Sequence, residues 1–255
     1  MVEGLDKFKE YFKDYSDNYV LIGGAACDTL IENEGLNFRA TKDLDIILIV
    51  EAHTTEFAAK FWDFIKDGKY ANNEESTGEK KYYRFTEPET EGFPHQLELF
   101  SRNLDIDLEG DVHLTPIPVD EDISSLSAIL LDEDYYNFTL ENSETEDDLH
   151  MASTCSLICL KAKAFLDLKE RKEKGEKADS DDIKKHRLDV VRLAAILTDE
   201  DIEDLPETIA ADLQEVIADI RNNMPDGKII GKLLGAGNLN IEDVMAQLET
   251  TFHLN

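Results

Sequence analysis

The segment that decides the fold runs from Val20 to Val50 and reads VLIGGAACDTLIENEGLNFRATKDLDIILIV. Its apolar start, Tyr19 to Ile22, predicts a short strand that ends on two glycines, Gly23 and Gly24. Ala25 to Glu34 then has the pattern of a helix. A Gly-Gly pair between a strand and a helix brings backbone N–H groups and a helix N-terminus to one point. That arrangement favours binding of an anion such as a phosphate.

The second half of the segment carries an Asp-x-Asp motif. Asp43 to Val50 predicts a strand with apolar residues on both faces, which is typical of a strand buried on both sides. Residues two apart in a strand point to the same face, so Asp43 and Asp45 bring two carboxylates to one spot. Two adjacent carboxylates repel each other, and a divalent cation removes that cost. Mg²⁺ prefers one or two carboxylates, with substrate phosphates completing its coordination.

Each motif also has a structural interpretation. A Gly-Gly pair alone is usually a turn, and an Asp-x-Asp motif at the start of a strand is more often a solvated strand end. Here the two occur together, in this order, with Asp43 following Gly23 by 20 residues. Their combination favours a site for a metal–nucleotide complex.

The rest of the chain predicts an α/β N-terminal half and a helical C-terminal half. The predicted fold class is a mixed sheet with flanking helices, followed by a C-terminal helical bundle. The predicted domains are residues 1–150 and 151–255. Residues 103–150 are rich in Asp and Glu and give no clear assignment. The other predicted elements are an opening helix through Leu5, Phe8, Phe12 and Tyr15, a helix at 57–65, strands at 81–85 and 96–101, and helices near 153–174, 180–198, 206–222 and 239–252, the last two separated by the Gly-rich stretch 227–237.

The composition limits the classes of function. The chain has 255 residues, with 26 Lys and Arg against 57 Asp and Glu, and a formal net charge of −31. This surplus excludes a broad basic face that binds nucleic acid without sequence preference, because each phosphate contact needs a cation. Residues 160–192 are an exception, since they hold 11 Lys and Arg against 8 Asp and Glu. A local contact with RNA or a nucleotide is therefore compatible with the composition.

The sequence predicts a cytoplasmic protein with no membrane association. The first twenty residues carry charges throughout, and the strongest apolar run, Ile46 to Val50, is far shorter than the roughly 20 residues that a bilayer requires. The three cysteines, Cys27, Cys155 and Cys159, lack the spacing of a disulfide framework. Cys155 and Cys159 are expected to be small buried hydrophobic residues rather than metal ligands.

Gly23-Gly24, the predicted helix and Thr41-Lys42-Asp43-Leu44-Asp45 resemble the signature of the polymerase-beta-type nucleotidyltransferase superfamily. The resemblance implies an enzyme that transfers an NMP group from an NTP to an acceptor hydroxyl, using one or two Mg²⁺ ions. It implies Asp43 and Asp45 as metal ligands, and Gly23, Gly24 and Lys42 as nucleotide-binding residues. The chain departs from the signature at Gly24, where many members have serine.

In that superfamily a third carboxylate on a later strand completes the metal site. Glu98, within Gln96 to Phe100, is the best candidate, because a lone carboxylate among apolar neighbours is otherwise expensive. Three glutamates in a Pro-containing turn are weaker candidates: Glu87, Glu89 and Glu91.

The C-terminal half narrows the resemblance. Leu160 to Arg171 and Asp182 to Leu193 are similar to the AbiEii abortive-infection branch of the superfamily. That branch contains the toxins of toxin–antitoxin pairs, and some related toxins act on transfer RNA. The resemblance therefore implies tRNA or another RNA as acceptor, and a cognate antitoxin as partner. It implies Lys161 and Asp189 as active-site residues, with Asp182 as the rival for the acidic role.

These helical residues also have structural interpretations. Lys161 has apolar helical neighbours, so its side chain either extends outward to solvent or is held for a ligand such as a triphosphate. Asp189 follows Lys185 by four residues and precedes Arg192 by three, the spacing of an ion-pair ladder. His186 is expected to be a hydrogen-bonded core histidine rather than a catalyst.

Two other classes of function stay open at this point. One is a nucleotidyltransferase that modifies a small molecule or a protein side chain. The other is a non-catalytic nucleotide-binding module.

Overall fold

The computed structural model describes residues 2–49, 52, 54–76, 82–100, 115–117 and 132–254. The chain forms two compact units, each assembled from separate stretches of sequence. The sheet unit comprises Met1–Thr29, Ala40–Ile123 and Ser143–Ala152, and the helical unit comprises Leu30–Arg39, Ser124–Asn142 and Ser153–Asn255. Each unit therefore contains residues from both sides of the predicted boundary at residue 150, and its segments alternate along the chain with those of the other unit.

The sheet unit is built on an eight-stranded mixed sheet. Its strands are β1 (Tyr19–Ile22), β2 (Asp43–Leu48), β3 (Tyr70–Ser76), β4 (Tyr82–Pro88), β5 (Gln96–Phe100), β6 (Thr115–Ile117), β7 (Ser143–Glu146) and β8 (Leu149–Ala152). Their order across the sheet is β6-β3-β4-β5-β2-β1-β8-β7. The central strand β2 is antiparallel to β1 and parallel to β5, which brings the two predicted motifs next to each other.

The strands predicted from apolar runs are confirmed, and those made of polar residues were not predicted. All four residues of β1 are buried, as are the last three of β2, in agreement with a strand covered on both faces. The edge strand β7 reads SETE, and three of its four residues are exposed. A strand without alternation of apolar and polar residues gives no periodic signal in the sequence, and its pairing with β8 fixes it instead.

An aromatic core packs beneath helices α1 (Leu5–Phe12) and α3 (Thr55–Gly68) of the sheet unit. A short 3₁₀ helix, Lys13–Asn18, follows α1 and contains Tyr15, which was predicted to belong to the opening helix. Thr54 caps α3, because its side chain accepts a hydrogen bond from the backbone N–H of Phe57. The buried rings that contact one another include Phe8, Phe12, Phe57, Phe61, Phe64 and Phe85. Helix α2 (Gly23–Asn33) begins directly after β1.

The helical unit contains α4 (Glu133–Glu141), α5 (Thr154–Glu173), α6 (Ser180–Ala194), α7 (Glu207–Asn222), α8 (Gly227–Leu234) and α9 (Ile241–Thr251). The four predicted helices correspond to α5, α6, α7 and α9. Helix α5 lies at the centre of the unit, and its first half is buried almost all round. A helix of this kind has a weak apolar periodicity, because its apolar residues are not confined to one face.

Helix α8 lies in the Gly-rich stretch 227–237, which was predicted to separate two helices. A Cβ at Gly231 would lie 1.9 Å from the carbonyl oxygen of Gly237, and one at Gly227 would lie 2.0 Å from that of Leu239. The glycines are therefore required where the helix packs against the backbone that follows it. The fold class of a mixed sheet with flanking helices, followed by a helical region, is confirmed.

No helix in the described ranges is long and apolar enough to cross a lipid bilayer. Cys27, Cys155 and Cys159 are all buried free thiols, as expected for small hydrophobic residues. Burial raises the pKa of Cys155 to about 12, so this thiol stays protonated at neutral pH.

Candidate active site

The strongest feature of the site is the close approach of Gly23 to Asp45. Ile22 is paired with Asp45 across β1 and β2, and Gly23 follows with a φ of 69°. A Cβ at Gly23 would lie 1.8 Å from Oδ2 of Asp45, so no other residue fits without displacing this carboxylate. Glycine is thus required twice at position 23, for its backbone conformation and for its lack of a side chain.

Gly24 makes a similar approach to the residue before Lys42. A Cβ at Gly24 would lie 2.8 Å from the Oγ1 atom of Thr41. The superfamily signature often has a serine hydroxyl at this position. In this chain a hydroxyl stands beside Gly24 on Thr41 instead, so the departure from the signature does not leave the region without one.

Asp43 and Asp45 occupy the first and third positions of β2, and both are partly exposed. Their alternation with the buried Leu44 and Ile46 places the two carboxylates on one face of the sheet. The carboxylate of Asp45 also lies at the start of α2, where the helix dipole favours negative charge. Lys42 is exposed immediately before the strand.

Glu98 is the direct neighbour of Asp45 on the adjacent strand. The parallel pairing of β2 and β5 sets Asp43 opposite Gln96 and Asp45 opposite Glu98, so all four side chains share one face. On the other side, Arg84 of β4 is paired with Glu98. A row of register positions therefore runs across three strands from Asp45 through Glu98 to Arg84.

Three nitrogen donors converge on a single oxygen of Glu98. Arg84 Nε lies 3.0 Å and Arg84 Nη2 2.9 Å from Oε1, and Gln96 Nε2 donates to the same atom at 2.8 Å. The Glu98 side chain is 7% exposed and that of Arg84 is 22% exposed. A guanidinium therefore neutralises the buried carboxylate. This ion pair reduces the free-energy cost that a lone carboxylate among apolar neighbours would have.

The residues of the sheet unit fit a divalent cation at Asp43 and Asp45, and fit it less well at Glu98. The two aspartates share a face, and Oδ2 of Asp45 lies where a Cβ of residue 23 would be. In the part of the chain that the structure describes, no three His, Cys, Asp or Glu side chains form a group that could hold a metal ion. Two carboxylates suffice for Mg²⁺ when substrate phosphates complete the coordination. The role predicted for Glu98 stays a prediction, and Arg84 and Gln96 already contact its Oε1 atom.

The other two predicted site residues, Lys161 and Asp189, lie in the helical unit. Lys161 is 2% exposed within the buried first half of α5, although its group is a cation. Among the described residues, no carboxylate lies within ion-pair distance of its Nζ atom. A buried cation without a protein partner is costly, so this lysine is a candidate for binding an anion.

Asp189 is fully buried on α6 and has two arginine partners. Arg39 donates from Nη2 to Oδ2 at 3.0 Å, and Arg192 donates from Nη1 to Oδ1 at 2.7 Å. Of the two ion pairs predicted for Asp189, the pair with Arg192 is present. Lys185 pairs with Asp182 instead, at 3.1 Å. These contacts account for the charge of Asp189 without a ligand. Its predicted active-site role, and that of its rival Asp182, stay predictions.

His186 is buried beside this cluster, but it differs from the hydrogen-bonded core histidine that the sequence indicated. Its Nδ1 atom is buried and has no hydrogen-bond partner among the described residues. Burial, together with the cations Lys161, Lys185 and Arg39, lowers the pKa of His186 to about 2. The ring is therefore neutral across the physiological range.

Sequence reasoning assigned no role to three residues that shape these sites: Thr41, Arg84 and Arg39. Thr41 adjoins the motif and could have been found from its hydroxyl. Arg84 lies within a predicted strand, and only the register of β4 with β5 reveals its partner. Arg39 lies in the connection before β2, and its partner is 150 residues away, so no local signal exists.

No protein family and no curated protein matches the sequence. Three solved structures resemble the fold at a distance. JHP933 from Helicobacter pylori has a TM-score of 0.46 and 17% identity, with 98% of this chain and 89% of that chain covered. A candidate nucleotidyltransferase from H. pylori has a TM-score of 0.45 and 15% identity, with 98% and 92% covered.

The third is an antigenic nucleotidyltransferase-like protein from Paracoccidioides brasiliensis, with a TM-score of 0.39, 16% identity and 97% of both chains covered. Likenesses at this level carry no argument about activity. The functional conclusion therefore depends on the geometry of the residues themselves.

Proposed function

We propose that this protein is a nucleotidyltransferase that transfers an NMP group from an NTP to an acceptor hydroxyl and releases pyrophosphate. The observation that carries the proposal is the close approach of Gly23 to Asp45, on the face that Asp43 shares. Backbone N–H groups in the first turn of a helix favour phosphate. A phosphate and the Asp45 carboxylate repel each other there unless a cation lies between them, which favours a metal–triphosphate complex as the ligand.

The residues of the sheet unit would bind the metal ion and the phosphates of the nucleotide. Asp43 and Asp45 would hold Mg²⁺, which when bound neutralises and orients the phosphates for in-line displacement. The turn at Gly23 and Gly24 would contact the phosphates through backbone N–H groups, and the exposed Lys42 would add a positive charge. Glu98 belongs to the same row, and its part in the reaction depends on its contact with Arg84.

In the helical unit, we propose Lys161 as a ligand for an anionic group of the nucleotide. Its burial and its lack of a carboxylate partner support this role. Asp189, whose charge is already matched by two arginines, would act mainly by fixing the position of α6.

The finer proposals concern the acceptor and the biological role. We propose RNA, with tRNA as the first candidate, as acceptor, and the toxin of a toxin–antitoxin pair as the biological role. The excess of basic residues in 160–192 supports contact with RNA. The toxin role and the antitoxin partner are supported only by the resemblance of α5 and α6 to the AbiEii branch.

The experiment is incubation of the protein with Mg²⁺, each labelled NTP in turn and total RNA. We expect label to enter RNA with wild type and to be lost with Asp43→Asn/Asp45→Asn. The matched control is Asp147→Asn/Asp148→Asn, which makes the same change of charge in the same unit, at two turn residues with positive φ that asparagine tolerates.

Each alternative gives a different result in this assay. Label that survives RNase treatment would favour a small molecule or a protein side chain as acceptor. Equal labelling by wild type and by Asp43→Asn/Asp45→Asn would contradict the enzymatic proposal. For the toxin role, induced expression of wild type, but not of Asp43→Asn/Asp45→Asn, should arrest growth.

A further inference from the structure

Two buried polar side chains of the helical unit, His186 and Lys161, are incompletely satisfied by the protein. His186 on α6 is 8% exposed, and its buried Nδ1 atom has no hydrogen-bond partner in the described part of the chain. Lys161 on α5 is 2% exposed and pairs with no carboxylate of the described residues. Buried polar groups in folded proteins are nearly always partnered, so a ligand is a natural partner for both.

The charges around His186 indicate that this ligand is an anion. Burial first, and then three cations, lower the pKa of His186 to about 2: Lys161, Lys185 and Arg39. These cations therefore lie near the ring. The carboxylates of Asp182 and Asp189 already pair with two of them, Lys185 and Arg39. The positive charge of Lys161 is left without a counter-ion, beside a neutral imidazole.

A neutral imidazole can serve an anion as a hydrogen-bond donor. It carries one proton, and with that proton on Nδ1 the buried atom of His186 donates to an acceptor. The positive field of the three cations favours a negatively charged acceptor at this place. Helices α5 and α6 pack against each other, so the ammonium group of Lys161 can contact the same anion from the other helix.

We propose that His186 is a ligand-binding residue whose Nδ1–H donates to a terminal phosphate of the nucleotide, and that Lys161 neutralises this phosphate. The inference rests on the proposed function only for the identity of the ligand as a nucleotide, because the two residues belong to the helical unit and act without a metal ion. A terminal phosphate fits better than the backbone of RNA. A phosphodiester carries less charge and has a nucleoside on either side, whereas both proposed donors belong to almost completely buried residues.

The test is the binding of pyrophosphate, which carries terminal phosphates, to the full chain. It is measured by isothermal titration calorimetry in EDTA, so that no metal ion contributes. The acidic surplus of the chain disfavours binding of anions elsewhere. We expect a single site on wild type. Lys161→Met and His186→Gln should each weaken it about 10-fold or more, because hydrogen bonds to charged groups are the strong ones.

Further variants separate the role of Nδ1 from packing and from net charge. The amide of His186→Asn takes the place of Nδ1, whereas the longer side chain of His186→Gln brings its amide to the place of Nε2. His186→Asn should therefore keep most of the affinity, although it leaves the larger void. Lys184→Met, at an exposed lysine of α6, makes the same change of charge as Lys161→Met and should equal wild type. Circular dichroism checks that each variant is folded.

The outcomes against the inference are specific. No binding by wild type, or unchanged binding by folded Lys161→Met, would overturn it. Equal losses for His186→Asn and His186→Gln would remove the role of Nδ1. Competition by a single-stranded oligonucleotide without terminal phosphates would assign the site to backbone phosphate instead.

The proposed function is tested separately from this inference. Its labelling assay requires Mg²⁺ and the two aspartates, Asp43 and Asp45. Labelled RNA together with no binding of pyrophosphate would overturn the inference alone. Binding of pyrophosphate that depends on His186, without labelling of any acceptor, would contradict the proposed function and leave the phosphate site standing.

Discussion

Glu98 in the sheet unit and Asp189 in the helical unit are both buried acids neutralised by arginine, yet they differ in what the pairing joins. Arg84 and Glu98 lie on adjacent strands, 14 residues apart in the chain. Arg39 and Asp189 lie 150 residues apart, and Arg192 completes the second pair on the same helix. The Asp189 pairs fix a connection to a helix, whereas the Glu98 pair fixes a side chain within a row that contains Asp45.

The two acids also differ in their access to water. The Asp189 side chain is fully buried, and its partners Arg192 and Arg39 are 9% and 26% exposed. The Glu98 side chain is 7% exposed, and its partner Arg84 is 22% exposed. Because two arginines hold a carboxylate that has no access to water, Asp189 has the character of a structural residue, whereas Glu98, with one arginine, is better placed to exchange partners.

The largest effect is expected for Asp189→Asn. The substitution keeps the volume but leaves two arginines without their shared carboxylate, and breaking a buried pair costs about 3 kcal/mol or more. The free energy of unfolding in urea, followed by circular dichroism, should fall by that amount. The control is Asp182→Asn on the same helix, where the ion pair with Lys185 is exposed and should contribute less than about 1 kcal/mol. Equal losses for both variants would remove burial as the reason.

The partners of Glu98 and Asp189 also show which features could be predicted from the sequence and which could not. The strand at β2, the helices α5 and α6 and the Asp43–Asp45 pair follow from the spacing of residues within a few positions of each other. The Gly23–Asp45 contact was predictable only as an association of two motifs, because the register of β1 with β2 sets the distance. Spacing on α6 predicted the Arg192 partner of Asp189. It could not predict Arg39, which comes from a connection far away in the chain.

Strand β7 and helix α8 show the same limit for two different reasons. Strand β7 lacks apolar alternation and is fixed by its pairing with β8. Helix α8 has apolar residues at helical spacing, but it also contains glycines, which usually indicate a turn and which here allow close packing through Gly231. The partner of Glu98 was missed for a related reason. Arg84 stands in a predicted strand, but the neighbour of a strand residue depends on sheet order, which local patterns do not contain.

An intermediate effect is expected for Glu98→Gln. The amide keeps the hydrogen-bonding shape and removes the charge beside Arg84, whose partial exposure limits the loss to about 1 to 2 kcal/mol. Urea unfolding of Glu98→Gln, Arg84→Gln and the double variant gives the coupling between the two side chains. If Glu98→Gln destabilised the protein as much as Asp189→Asn does, the proposed difference between these two buried acids would be wrong.

The smallest effect is expected for His186, whose titration makes the free energy of unfolding depend on pH. No such effect is expected from the pair of Arg84 and Glu98. Its pKa is lowered to about 2 in the folded chain, against about 6.5 when unfolded. Well above pH 6.5 neither state binds the proton, so the residue has no influence there. As the pH falls below 6.5 the unfolded chain takes up a proton that the folded chain does not. Stability should then decline by about 1 kcal/mol per pH unit through this one residue.

The measurement is the difference in unfolding free energy between wild type and His186→Gln at pH 7.5, 6.5 and 5.5 (values chosen to lie about one unit apart around the unfolded pKa). Carboxylates titrate equally in both proteins, so the difference isolates His186. We expect a shift in favour of the variant of about 0.4 kcal/mol between pH 7.5 and 6.5, and of about 1 kcal/mol between pH 6.5 and 5.5. A difference that stays constant throughout would mean that the folded chain protonates His186 as readily as the unfolded one. Neither the burial of the ring nor the nearby cations Lys161, Lys185 and Arg39 would then lower the pKa of His186.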